Sequence, residues 1–205
     1  MKKVGVILAR LQPVHKGHLA LIRKSFLEND ETYILIGSAD KFGQRNPIPI
    51  GLRMQLLRGA LEEEFDGIIK QSVDENIYTS TMITGSKTIK IVPLDDLSDE
   101  SENNHEWGFY LYSKVVGIAS CPNFTMYYSD GFEIITSWFP GFILRNNVSL
   151  CLIARNGTED GISATAVRKA IEDGDDEKLS KYVTGNVMAM KDTIRQHIEI
   201  SKLVK

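Results

Sequence analysis

Two histidines near the start of the chain are the residues whose type and spacing most clearly suggest chemistry. His15 and His18 lie in the stretch ARLQPVHKGHLALI, with Pro13 before them and Gly17 between them. An imidazole ring donates a hydrogen bond in either protonation state and carries positive charge when it is protonated. Such a pair is suited to hold a phosphate, above all one that gains negative charge during a reaction.

The elements around the pair support this interpretation. Val4–Ala9 is a short apolar run that predicts a strand buried on both faces. Apolar residues then recur at helical spacing from His18, so a helix is predicted to start near Gly17. The free N–H groups and the positive dipole end of such a helix bind anions. Gly17 has no side chain, so a ligand could approach its backbone closely.

Two other interpretations of the histidine pair are weaker. Zinc would need a third and a fourth ligand, and no Cys or Glu lies near the pair in the sequence. We therefore predict no metal site. Two solvated histidines at a helix cap are the second alternative. Their position directly after a buried strand, beside Pro13 and Gly17, argues against it.

The rest of the chain alternates between strand and helix patterns. Buried strands are predicted at 32–39, 88–94, 124–130 and 148–155, and helices at 51–64, 106–119 and after 161. This alternation is typical of an α/β fold with a doubly wound parallel sheet, whose ligands bind outside the carboxyl ends of the strands. We expect a single domain over 1–205, with C-terminal helices at 176–205. The segment 66–87 fits no simple element and is predicted to be an insertion, either a hairpin or a mobile excursion.

Composition excludes several classes of protein. The chain is 42% hydrophobic and 25% charged, as ordinary globular proteins are, and its net charge is -3. Such a charge gives no general attraction to nucleic acid or to anionic membranes. The N-terminal run MKKVGVILA is too short for a signal peptide or a membrane span. We expect a cytoplasmic protein with neither nucleic acid nor membrane as a partner.

Two distant segments resemble the signatures of the HIGH-motif nucleotidyltransferase superfamily. ARLQPVHKGH is similar to G-x-F-x-P-x-H-x-G-H, and most similar to the GRFQPFHxGH of archaeal-type nicotinamide-nucleotide adenylyltransferases. Ala9, Leu11 and Val14 depart from that pattern. ISATAVR, residues 162–168, is similar to the second signature, I-S-x-T-x-x-R. The resemblance implies a Rossmann-like fold. It assigns catalytic roles to His15, His18 and Arg168, and ATP binding to Arg10, Gln12, Gly17, Ser129, Ile162, Ser163 and Thr165.

Two further segments resemble the parts of this family that bind the acceptor. GSADKFGQRNPIPIGLR is similar to G-S-A…N-P-F-T-x-x-E-R, although Leu52 stands where a glutamate is usual. VPLDDLSDESENNHEWGFYL is similar to P-I-x-D…W, and the family's tryptophan stacks on the nicotinamide ring. After Ser129 the chain has Asp130 and Gly131 where the family has glycine and asparagine. The resemblance implies acceptor binding by Ser38, Asn46, Arg53, Asp96 and Trp107.

The implied reaction transfers AMP from ATP to nicotinamide mononucleotide (NMN) and gives NAD and pyrophosphate. His15 and His18 would hold the α-phosphate, while Arg168 and Arg10 would hold the β and γ phosphates that leave. Mg²⁺ would enter with ATP and keep several waters, so the resemblance implies no dedicated carboxylate cage. The partners are the small molecules ATP and NMN, and the chain could form a homo-oligomer.

Several alternatives remain open from the sequence. The same signatures serve adenylyl- and cytidylyltransferases that act on nicotinate mononucleotide, phosphopantetheine or FMN. A nucleotide-sensing module without turnover is a different class. It would need affinity but not charge stabilisation in the transition state, so both histidines and Arg168 favour an enzyme. Ser163 could cap its helix while that helix binds phosphate. Trp107 could instead be a core residue.

Overall fold

A computed structural model describes residues 2–65, 68–74, 77–84, 86–97, 104–154 and 162–204. The strands of its central sheet all lie in the first three-quarters of the chain. They are β1 (Val4–Ala9), β2 (Glu31–Ile36), β3 (Ile68–Asp74), β4 (Ile77–Thr84), β5 (Lys87–Pro93), β6 (Phe124–Ser129) and β7 (Val148–Ile153).

Helices connect these strands and close the chain. They are α1 (Lys16–Glu28), α2 (Ile50–Phe65), α3 (Asn104–Ala119), α4 (Gly141–Asn146), α5 (Ala164–Asp173), α6 (Asp176–Tyr182), α7 (Gly185–Ala189) and α8 (Lys191–Leu203). A 3₁₀ helix, Glu133–Ser137, precedes α4. Of the helices in the described ranges, none has the length and apolar character that crossing a bilayer requires.

The strand order is β3-β4-β5-β2-β1-β6-β7. The last five strands in this order, β5, β2, β1, β6 and β7, are parallel to one another. The first two, β3 and β4, pair antiparallel with their neighbours. The chain moves from β1 to β2 in one direction and later returns to place β6 on the other side of β1. The predicted doubly wound, Rossmann-like α/β fold is therefore confirmed, and the reversal opens a crevice beyond the carboxyl end of β1.

Two hydrophobic clusters cover the two faces of the sheet. In β1, Val4 and Val6 face the cluster built with α3 and α4, while Ile7 faces the cluster built with α1, α2, α5 and α8. In β2, Tyr33 and Ile34 divide between the faces in the same way. Because helices cover both faces, the strand sequences are apolar runs without a polar alternation, as parallel sheets require.

The structure shifts some predicted boundaries. β2 ends at Ile36 and not at residue 39, because Ser38 has a φ of 51° and leaves the extended conformation. Helix α1 begins at Lys16. The last helical segment divides into α7 and α8 at Met190, whose φ and ψ of -99° and 10° interrupt the helix. Of the segment 66–87, the described residues form the antiparallel pair β3 and β4. The proposed domain limits stay a prediction.

Candidate active site

A cavity of about 700 Å³ lies at the carboxyl ends of β1, β2, β6 and β7. The chain reverses its direction across the sheet at this place, as the sequence analysis expected for a ligand site. Most residues predicted to form the site meet in the cavity wall. They are Arg10, Gln12, His15, Gly17, His18, Ser38, Asp96, Trp107, Ser129, Ile162, Ser163, Thr165 and Arg168.

The two histidines form the cap of α1. His15 is the N-cap residue, and its backbone N–H donates to Nδ1 of His18 over 3.3 Å. In the neutral His18 ring this bond leaves Nε2 as the atom that carries the proton. The ring centroids of His15 and His18 lie 3.7 Å apart. The arrangement places imidazole donors beside the positive end of a helix dipole, where they can stabilise a negative charge.

Gly17 has a packing role in addition to the predicted one. A Cβ at this position would lie 3.1 Å from both Cε1 and Nδ1 of His15. Such an approach is tighter than most real Cβ contacts. The absent side chain therefore leaves space for the His15 ring to fold against the start of α1, as well as for a ligand.

A second helix start, that of α5, lies in the same wall. Ser163 caps this helix, because its Oγ accepts a hydrogen bond of 3.1 Å from the Ala166 N–H. Arg168 lies one turn further, where Nη1 donates to the backbone oxygen of Gln12 (2.7 Å) and Nη2 to Oγ1 of Thr165 (3.2 Å). Arg168 thus connects the two signature segments, which are far apart in the sequence.

Positive charge predominates along the cavity. Among the described residues, its wall contains Arg10, Lys16, Arg45 and Arg168 against one carboxylate, that of Asp96. Burial lowers the pKa of Arg168, and the positive charge of Arg10 lowers it further. Within the described ranges, no ion pair includes Arg10 or Arg168. An anionic ligand would relieve this repulsion, so the site is suited to phosphates.

Ser38 and Asp96 form a polar pair on the other side of the cavity. Oγ of Ser38 donates to Oδ1 of Asp96 over 3.1 Å, and the Asp96 N–H donates to Oδ1 of Asp40 over 3.0 Å. Asp96 is thereby held at the cavity wall with oxygen atoms that can accept from a hydroxyl or an amide.

Aromatic rings form the adjoining wall. Trp107 is half-buried and meets Trp138 edge-on, with centroids 6.0 Å apart and an interplanar angle of 84°. Phe132 meets Trp138 at 5.4 Å and 89°. Gly108 permits this arrangement, since a Cβ there would lie 1.9 Å from the backbone oxygen of Trp138. Trp138 and Phe132 were not predicted from the sequence, because they lie between 130 and 148, where no element was predicted.

Two residues predicted to bind a substrate use their side chains to hold the protein's own backbone. Arg53 is 0% exposed and does not line the cavity, so it cannot touch an acceptor directly. Gln12 lines the cavity, but its side chain serves the protein. Its Nε2 donates to the backbone oxygen of Ile48 (3.2 Å), and its Oε1 accepts from the Ile48 N–H (2.8 Å). The amide of Gln12 therefore fixes the Ile48 backbone, and its contact with ATP stays a prediction.

Asn46 lies in a neighbouring cavity of about 510 Å³. Arg10, Ser38, Arg45 and Asp96 line both cavities, so the two spaces are adjacent. Arg45, which precedes Asn46, was missed although it belongs to the same sequence segment.

Groups of three or more His, Cys, Asp or Glu that could hold a metal ion do not occur in the part of the chain that the structure describes.

The comparisons with known proteins agree with this geometry. A family model described as cytidylyltransferase-like matches residues 9–170. The nicotinamide-nucleotide adenylyltransferase of Thermococcus onnurineus (strain NA1) is 26% identical over 194 residues, which cover 93% of this chain and 85% of that protein. The protein of the same name from Pyrococcus furiosus is 28% identical over 174 residues, which cover 84% of this chain and 75% of that one.

Solved structures share the fold. A bifunctional NMN adenylyltransferase/ADP ribose pyrophosphatase from Francisella tularensis, in complex with AMP and a manganese ion, has a TM-score of 0.62 and 21% identity. That match covers 97% of this chain and 52% of the other, so this chain spans about half of the bifunctional protein. A putative nicotinate-nucleotide adenylyltransferase from Vibrio parahaemolyticus has a TM-score of 0.63 and 15% identity, with 97% of both chains covered.

Proposed function

The chain belongs to the cytidylyltransferase-like family, and we propose that it is an enzyme that transfers AMP from ATP to NMN, giving NAD and pyrophosphate. The observation that carries the proposal is that both signature segments and Trp107 line one and the same cavity. The relatives from Thermococcus onnurineus and Pyrococcus furiosus, which match most of this chain, are named for this activity.

In this reaction an oxygen of the NMN 5′-phosphate attacks the α-phosphorus of ATP. The bond from that phosphorus to the bridging oxygen breaks, and pyrophosphate leaves. The protein needs no covalent intermediate, so its contribution is to align the reactants and to stabilise charge. His15 and His18 at the start of α1 hold the α-phosphate, where negative charge builds.

The β and γ phosphates lie against the positive wall. Arg168 and Arg10 supply charge there, and the start of α5 supplies backbone N–H groups. Mg²⁺ would enter with ATP, where it would keep several waters and partly neutralise the phosphate charge, so that this chain would need no carboxylate cage to hold it. The described part of the cavity wall, with four cationic side chains and one carboxylate, fits a metal that the substrate would carry.

The acceptor occupies the side formed by Ser38, Asp96 and Trp107. The nicotinamide ring stacks on Trp107, whose face is the best partner for a positively charged ring. Asp96 accepts hydrogen bonds from the acceptor, and Asn46 and Arg45 extend this side into the neighbouring cavity. Nicotinate mononucleotide, phosphopantetheine and FMN lack one or more of the features that this side would recognise.

An acceptor panel tests the proposal. The purified protein is assayed with Mg²⁺ and ATP or CTP against NMN, nicotinate mononucleotide, phosphopantetheine and FMN, and pyrophosphate release is measured. We expect the highest kcat/KM for ATP with NMN, and NAD as the second product. A higher value for another pair would replace the substrate assignment. Nucleotide binding without pyrophosphate release for any pair would favour the sensing module.

Three properties remain predictions from the sequence: a cytoplasmic location, the absence of nucleic-acid and membrane partners, and a homo-oligomeric state. Size-exclusion chromatography with light scattering would measure the oligomeric state directly.

A further inference from the structure

Arg53 is a buried cation that the chemistry above does not use. It lies in α2, is 0% exposed, and is among the largest fully buried side chains of the described core. Its Nη1 donates to the backbone oxygens of Arg10 (2.9 Å) and Gly37 (2.8 Å), and its Nη2 donates to that of Ser38 (2.9 Å). One planar guanidinium therefore binds three carbonyls from two loops.

These carbonyls belong to the two strand ends that frame the cavity. Arg10 directly follows β1, while Gly37 and Ser38 directly follow β2. Arg10 and Ser38 line both cavities. Ser38 also has a φ of 51°, in the left-handed region that costs a residue other than glycine free energy. The hydrogen bond from Arg53 to the Ser38 oxygen supports that conformation.

We propose that Arg53 is a positioning residue for the transfer of the adenylyl group. It fixes the separation between Arg10, on the side of the ATP phosphates, and Ser38 with its partner Asp96, on the acceptor side. This inference rests on the proposed function, because the two sides must be aligned only if one substrate attacks the other.

The charge of Arg53 is consistent with this role. Among the described residues, no ion pair includes Arg53, and its hydrogen bonds go to carbonyl oxygens. The carboxylates of Asp96 and Asp40 attract its charge without forming an ion pair with it. Burial, together with the positive charge of Arg10, lowers the pKa of Arg53 to about 10, and the group remains charged at neutral pH. A buried charge that forms no ion pair costs folding free energy. The planar guanidinium of Arg53 is the feature that binds carbonyls of both loops at once.

The expected consequence is a loss of kcat and not of affinity. Lysine keeps the charge but has a compact ammonium, which cannot hold three carbonyls in one plane. Misplacement of reacting groups by roughly 1 Å can cost about 10²-fold in rate. For Arg53→Lys we therefore expect kcat to fall about 10- to 100-fold, while the KM values of ATP and NMN change less than about 3-fold.

Arg58 provides a matched control. It lies in the same helix, is half-buried and lines neither cavity. Arg58→Lys should leave kcat unchanged. The Tm of each variant is measured, and activity is assayed well below it, so that unfolding does not contribute. Arg53→Ala is then assayed with added methylguanidinium, which should restore part of the lost kcat in a saturable way, whereas methylammonium should not.

The outcomes are distinguishable. If Arg53→Lys keeps the kcat of the wild type, or loses activity only in proportion to its unfolded fraction, the positioning role is wrong. A rise in the KM of one substrate at constant kcat would also overturn it, because Arg53 would then serve binding. A wild-type protein that forms no NAD would refute the proposed function itself, and this inference with it, before any variant is compared.

Discussion

The contact between Gly108 and Trp138 gives a sharp test of how the aromatic wall is built. A Cβ on Gly108 would lie 1.9 Å from the backbone oxygen of Trp138 and 2.5 Å from its carbonyl carbon. Real Cβ atoms essentially never come within 3.0 Å of another atom in this way. Because the obstacle is backbone and not a flexible side chain, Gly108→Ala must push the Trp138 segment away by about 1 Å.

Gly117 supplies the matched substitution. It lies in the same helix α3, and a Cβ there would meet nothing within 4 Å. Gly117→Ala should therefore stabilise the protein by about 0.5–1 kcal/mol through helix propensity alone. Gly108→Ala receives the same stabilisation from helix propensity, but the new Cβ overlaps the Trp138 backbone, which costs about 1–3 kcal/mol. The difference between the two variants isolates the overlap, and it corresponds to roughly 2–12 °C in Tm for a chain of this size.

The same comparison reports on the site. Trp138 meets Trp107 edge-on, and such pairs contribute about 0.5–1.5 kcal/mol. Displacing Trp138 should thus raise the KM for NMN about 2- to 10-fold in Gly108→Ala, at 1.4 kcal/mol per tenfold, and leave Gly117→Ala unchanged. Urea unfolding followed by far-UV circular dichroism gives the free energies, and pyrophosphate release gives KM. Equal stability and equal KM in the two variants would refute the reasoning.

Three substitutions in the cavity test the assigned roles. His18→Ala should lower kcat about 10²–10³-fold, the effect of losing one preorganised donor, with little change in ATP affinity; near wild-type turnover would remove His18 from the mechanism. Arg168→Ala should weaken ATP binding in calorimetric titrations, and Arg168→Lys should restore it only in part, because a point charge cannot reproduce the fork that reaches Gln12 and Thr165. Equal affinities in all three proteins would make Arg168 a structural residue. Trp107→Ala should raise the KM for NMN about 10- to 100-fold through lost stacking and cation–π attraction while the KM for ATP stays constant. Unchanged KM for NMN would make Trp107 a core residue and reopen the acceptor assignment.

The sequence by itself determined the parallel part of the sheet and the two helix starts at its carboxyl edge. A strand such as Val4–Ala9 is apolar on both faces, so both faces must be excluded from water. Because segments with helical periodicity lie between such strands, a parallel sheet with helices on both faces is the arrangement consistent with the sequence. His15, His18 and Ser163 lie at the two predicted helix starts, because a helix start is a local feature set by residues within one turn.

Only the tertiary structure decided which polar side chains of the motifs reach the cavity. Arg53, Gln12 and Arg168 all match the family pattern and all donate hydrogen bonds to distant backbone atoms. Only Gln12 and Arg168 line the cavity, whereas Arg53 lies outside its wall. Trp138 enters the wall because Gly108 lets two segments approach within backbone contact. Residue type and spacing indicate which hydrogen bonds a side chain can form. The partners of Gln12, Arg53 and Arg168, however, include backbone atoms 30 or more residues away in the sequence. Only the packed fold brings those parts within hydrogen-bond distance.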